Sequence, residues 1–148
     1  MSLHTSSAQP PEISRHGIAW NDSFSLGIRT LDEHHRHLAS LINRLMAHPS
    51  AETNTESFTA VVSELVQYAR YHFEHEEALM AEHDYPASEH HRNEHDQFCR
   101  FVSETSYGAM IGVITKQHLV DYLVRWWQAH ILSEDMLLKP FFASKGIR

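Results

Sequence analysis

The chain has 148 residues, a net charge of −7 with histidine neutral, and a single cysteine, Cys99. A mildly acidic chain without a basic patch is not built to hold nucleic acid, and one cysteine excludes an internal disulfide. No apolar run reaches the roughly 18 residues of a membrane span, and no secretory leader is visible, so the cytoplasm is the expected location. The unusual feature is histidine: 14 residues, against 12 lysines and arginines together, spread through the apolar segments rather than gathered in a run.

Residues 1–17 are polar, contain Pro10-Pro11 and lack periodicity, and are expected to form a flexible tail ahead of one domain spanning 18–148. Ile18 to Leu26 carries Trp20 and Phe24 and is expected as an extended arm whose aromatics pack on the body. Four segments then alternate spacings of three and four, the seam of a bundle helix. The first, about Ile28 to Ala47, lines up Leu31, His35, Leu38 and Ile42. The second, about Glu52 to His83, lines up Leu65, Ala69, His72, Glu76 and Leu79. The third, about Ala87 to Tyr107, carries His91, His95, Phe98 and Val102. The fourth, about Thr115 to Ser133, carries Leu119, Leu123, Trp126 and His130. Breaks at His48-Pro49-Ser50, Asp84-Tyr85-Pro86 and Gly108 to Gly112 leave short connections, which force neighbouring helices antiparallel. The expected fold is all-α: an up-down-up-down four-helix bundle with an N-terminal arm, and with the segment after Asp135 capping one end. One bundle accounts for the apolar positions, which favours a monomer.

The seams turn polar at His35, His72, Glu76, His91, His95 and His130, where the pattern asks for Leu or Ile. A buried polar group without a partner costs a few kcal/mol, so six of them need a shared one. His72 with Glu76, and His91 with His95, are four apart and lie on one helix face. Imidazoles with a minority of carboxylate suit iron, zinc, copper or nickel rather than magnesium or calcium. Five histidines exceed the usual needs of one ion, so two metals are expected, with Asp135 as the second bridging carboxylate. Asp135 stands five residues after His130, roughly 140° round a regular helix, so the backbone is expected to loosen near Ile131 to Glu134.

These residues resemble the hemerythrins, specifically the bacterial single-domain hemerythrins, from about Trp20 to Asp135. Gly27 to His35 is similar to G-x-x-x-[IL]-D-x-x-H, and His72 to Met80 is similar to H-F-x-x-E-E-x-x-M. Tyr85-Pro86 with His91, His95 and Phe98 resembles Y-P-x4-H-x3-H-x2-F. Trp126, His130-Ile131 and Asp135 resemble W-x3-H-I-x3-D. The resemblance implies a non-haem centre of two iron ions per chain. His91, His95 and His130 would hold one iron, and His35 and His72 the other. Glu76, Asp135 and an oxo or hydroxo group would bridge them. It also implies reversible dioxygen binding at the iron with fewer histidines, by a carrier, store or scavenger rather than an enzyme. An oxygen-consuming partner is left unidentified.

In this register His34 and His90 fall one step off the seam and are expected not to be ligands, as are His37, His75, His83 and His118. One departure from the family stands out: Trp127 takes the place, three residues before His130, where leucine is common. It is expected either to narrow the oxygen pocket or to fill the core. Cys99 is expected as a small buried apolar residue. Competing readings are an oxygen or redox sensor, a di-iron peroxidase-like enzyme, a ferritin-like store and a zinc hydrolase. No Glu-x-x-His and no His-Glu-x-x-His occurs, which disfavours the last two.

Overall fold

The computed structural model describes residues 17–148; apart from Gly17, the tail expected over 1–17 lies outside them. Four long helices form an antiparallel bundle: α1 Arg29–Ala47, α2 Glu56–Glu82, α3 Ser88–Met110 and α4 Lys116–His130. A π-helical turn, Ile131–Asp135, joins α4 directly to α5, Met136–Ser144. No helix among the described residues is long and apolar enough to cross a membrane.

Helix starts follow local chemistry. Thr55 and Thr115 cap α2 and α4, their hydroxyls accepting the N–H of Phe58 and His118 at 3.3 and 3.1 Å. The start of α2 therefore lies four residues after Glu52, where periodicity alone would begin it. The α2–α3 turn closes on Asp84 in the left-handed region, with φ 54°. The third helix does not break at Gly108 as expected. It runs through to Met110, because Gly108 leaves room for Ile114: a Cβ there would stand 2.5 Å from the isoleucine side chain. The chain reverses instead at Gly112, with φ 79°.

The arm is secured at both ends. Asn43 exchanges two hydrogen bonds with the Ile18 backbone, at 2.7 and 2.8 Å. The Asp32 carboxylate accepts from the Ser25 hydroxyl at 2.6 Å and the Leu26 N–H at 2.8 Å. Between these anchors Phe24 is buried, edge-on to Trp127 with ring centres 4.8 Å apart. A short 3-10 turn, Asp22–Phe24, interrupts the otherwise extended arm.

Two apolar clusters build the interior. The larger, with Leu38, Ala69, Phe98, Leu123 and Trp127, fills the body of the bundle. The smaller, with Leu26, Leu31, Met80, Leu138 and Phe142, closes one end, and α5 supplies its last two members. The segment after Asp135 thus caps the bundle, as a helix. The polar seam residues form the layer between: His35 lies between Leu31 and Leu38 on α1, and His72 and Glu76 between Ala69 and Met80 on α2. Not every apolar side chain is absorbed. Tyr107, Met110, Ile111 and Val113 stand exposed where α3 turns towards α4.

Candidate metal centre

All seven residues singled out from the sequence lie in that layer, each at most 4 % exposed. Regular helix geometry delivers six of them. Asp135 needs the π turn, in which the Met136 N–H bonds the carbonyl of Ile131, five residues back. The wider turn carries Asp135 round until its Oδ1 stands 3.0 Å from His130 Nε2. The irregularity expected at Ile131 to Glu134 is present, and its cause is the five-residue spacing.

The donors fall into two overlapping sets. Glu76, His91, His95, His130 and Asp135 form one, and His35, His72, Glu76 and Asp135 the other. Both carboxylates belong to both sets and divide their oxygens between them. Glu76 Oε1 faces His91 at 2.5 Å and His95 at 3.3 Å, while Oε2 faces His72 at 3.3 Å. Asp135 Oδ1 faces His91 at 3.1 Å and His130 at 3.0 Å, while Oδ2 faces His35 at 3.1 Å. Within the sets, the Nε2 atoms of His35 and His72 are 3.1 Å apart and those of His95 and His130 are 3.2 Å apart. Donors bound at about 2.1 Å and at right angles around one ion would be about 3 Å apart. Glu76 Oε2 and both Asp135 oxygens are buried without a hydrogen bond. Orphaned carboxylate oxygens facing imidazole nitrogens at these separations fit a pair of metal ions.

Aromatic rings hold the histidine planes. Phe73 stacks on His95 at 3.9 Å and 11°, and Trp126 on His130 at 4.5 Å and 12°. Without metal the cluster holds protons. Burial pulls His91 down, but the Asp135 and Glu76 carboxylates that face it outweigh this and push the imidazole up to about 10. Burial likewise opposes charge on His35, and Asp135 again wins and raises it. For His72 and His95 burial prevails and lowers both. Burial and their mutual repulsion oppose charge on Glu76 and Asp135. The surrounding histidines nevertheless hold both carboxyls well below the usual carboxylate range.

One helical turn inward lies a small apolar cavity. Leu38 is three residues after His35, Ala69 three before His72, Phe98 three after His95, and Trp127 three before His130; all four line it, with Leu123 and Trp126. Its free volume is about 10 Å³, room for roughly one water-sized sphere and too few polar partners to hold one. Trp127 walls this cavity and packs edge-on against Phe24.

The remaining histidines separate. His90 is exposed, 3.3 Å from Glu134. His34 belongs to neither donor set, yet it is buried, its Nδ1 3.0 Å from Nδ1 of His72. That burial was missed. The available signal was on α2: Tyr68, Tyr71, His72 and His75, spaced as one helix face, form a polar aromatic stripe that needs something to face. Cys99 is half-buried, and burial raises its thiol.

Comparison with known proteins gives a consistent result. The family described as "Hemerythrin HHE cation binding domain" matches residues 26–142. A protein named Bacteriohemerythrin from Pseudomonas aeruginosa (strain UCBPP-PA14) is 33% identical over 119 residues, 80% of this chain and 76% of the relative. Bacteriohemerythrin from Clostridium acetobutylicum is 31% identical over 123 residues, 80% of this chain and 95% of the relative. A crystal structure titled wild-type hemerythrin superposes with a TM-score of 0.75 at 20% identity, covering 83% of this chain and 95% of that one.

Proposed function

The chain belongs to the hemerythrin family, and from that premise we propose that it binds dioxygen reversibly at a di-iron centre, as a carrier, store or scavenger rather than an enzyme. One observation carries the reading: two buried carboxylates each turn one oxygen to a three-histidine set and the other to a two-histidine set.

In this proposal His91, His95 and His130 would hold one iron, His35 and His72 the other, and Glu76 and Asp135 would each offer an oxygen to both. Ferrous iron bound there would supply the two electrons that dioxygen takes up on binding and returns on release. The chain's own part is to shape the surroundings. The inequality of the two sets leaves the two-histidine side as the place for an incoming ligand. Leu38, Ala69, Phe98 and Trp127 enclose a small apolar space beside both sets, from which water is excluded. The larger apolar cluster shields one side of the layer and the smaller cluster the other. Stacking by Phe73 and Trp126 keeps His95 and His130 from turning away. No side chain outside the two donor sets is needed to give or accept a proton.

The test is to reduce the purified protein without air, admit oxygen, then remove it, following the near-ultraviolet and visible absorption. Colour that returns over repeated cycles, with iron near two per chain, is expected. One-way oxidation points to a redox enzyme or sensor, and one zinc per chain would end the di-iron reading.

A further inference from the structure

Among the described residues His34 is the one buried histidine outside both donor sets, and its partner is a member of one. Nδ1 of His34 and Nδ1 of His72 are 3.0 Å apart, while Nε2 of His72 faces Glu76 and His35 on the opposite side of its ring. A neutral imidazole carries one proton. If Nε2 of His72 offers its lone pair to a metal, the proton must reside on Nδ1, and Nδ1 then needs an acceptor. His34 stands where that acceptor must be. Its own ring is held edge-on or tilted by Tyr68, Tyr71, His72 and His75, with centres 5.2–5.8 Å away, so it cannot easily swing out. By contrast, Nδ1 of His35, His95 and His130 is buried without any hydrogen bond.

We propose that His34 is a positioning residue: its Nδ1 accepts the Nδ1–H of His72 and so fixes the tautomer in which His72 presents a free Nε2 to the two-histidine metal position. This rests on the di-iron reading above. It assigns to α1 a second role at the centre beyond His35, through a neighbour that does not touch the metal. Partners of this kind are generally worth about 10- to 100-fold in metal affinity, and the effect falls on one ion of the two.

The test compares His34→Leu, which removes the acceptor, with His34→Asn, whose Oδ1 replaces it. Each protein is loaded anaerobically with ferrous iron and challenged with excess ferrous chelator, and iron per chain is followed in time. The expected result is that the leucine variant loses one of its two irons about 10- to 100-fold more readily, while the asparagine variant stays near wild type. Equal retention in the leucine variant overturns the proposal, and so does asparagine faring no better than leucine. A second readout needs no variant: in the zinc-loaded wild-type protein, long-range proton–nitrogen correlation should find the His72 proton on Nδ1. A proton on Nε2 overturns the proposal even if neither variant folds. Wild-type protein that fails to hold two irons refutes the di-iron reading itself, and the proposal with it.

Discussion

The two donor sets share two carboxylates but are built differently. The His35–His72 side stands on α1 and α2, regular helices whose seams run through it without interruption. The His91–His95–His130 side depends on α3 and on the end of α4, where the helix must widen into a π turn before Asp135 can join it. The simpler side has fewer histidines and a hydrogen-bonded support, His34. The fuller side has two ring stacks instead. The unequal number of donors, five in one set and four in the other, is therefore a property of how the helices are placed.

The largest effect is expected from removing what the sides share. Glu76→Ala withdraws an oxygen from both sets and leaves five histidines without one bridging group. Retained iron should fall by half or more while circular dichroism still reports a helical bundle; a variant that keeps its full iron would mean Glu76 does not join the sets.

Next comes a contrast between the sides. His35→Ala reduces the four-donor set to three, whereas His130→Ala leaves four donors in the other set, as many as the smaller set has from the start. One iron per chain is expected to be lost readily from the His35 variant and more slowly from the His130 variant. The reverse order in a chelator challenge would show that donor count does not govern retention.

Trp127→Leu probes the cavity wall beside both sets. It opens space next to the centre and removes the edge contact with Phe24. Oxidation of the oxygenated protein in air should change several-fold. Stability should fall by about 2 kcal/mol, less than full truncation to alanine costs. An unchanged oxidation rate would show that the cavity does not communicate with the iron.

A further contrast is one of pH. In metal-free protein the folded state raises His91 from 6.5 to about 10. Its contribution to stability is therefore complete below pH 6.5 and disappears as pH rises through 10. The chelated protein should melt at progressively lower temperature across that window. Iron-loaded protein, with this proton displaced, should lack the slope. Parallel curves for the two forms would refute the displacement.

Much of this was legible in advance because helical periodicity is local. The 3-4 spacing of Leu31, His35 and Leu38, or of Ala69, His72 and Glu76, determines which side chains share a face whatever the rest of the chain does. The misfit of His130 and Asp135 announced the widened turn for the same reason. Boundaries were less legible. Thr55 sets the start of α2 by a side-chain bond that periodicity does not register, and Gly108 allows α3 to continue because Ile114 comes from beyond the next turn.

The sequence by itself determined the four faces, the polar residues placed on them and the need for an irregular turn, since each depends on angles between residues a few positions apart. Only the tertiary structure decided that Glu76 and Asp135 split their oxygens between two sets, that an apolar cavity lies one turn inward, and that His34 reaches His72. Those outcomes depend on how far apart four helices stand and how they are rotated against one another. These distances are set by the packing of Leu38, Phe98, Trp127 and their neighbours across the bundle, and no single segment contains them.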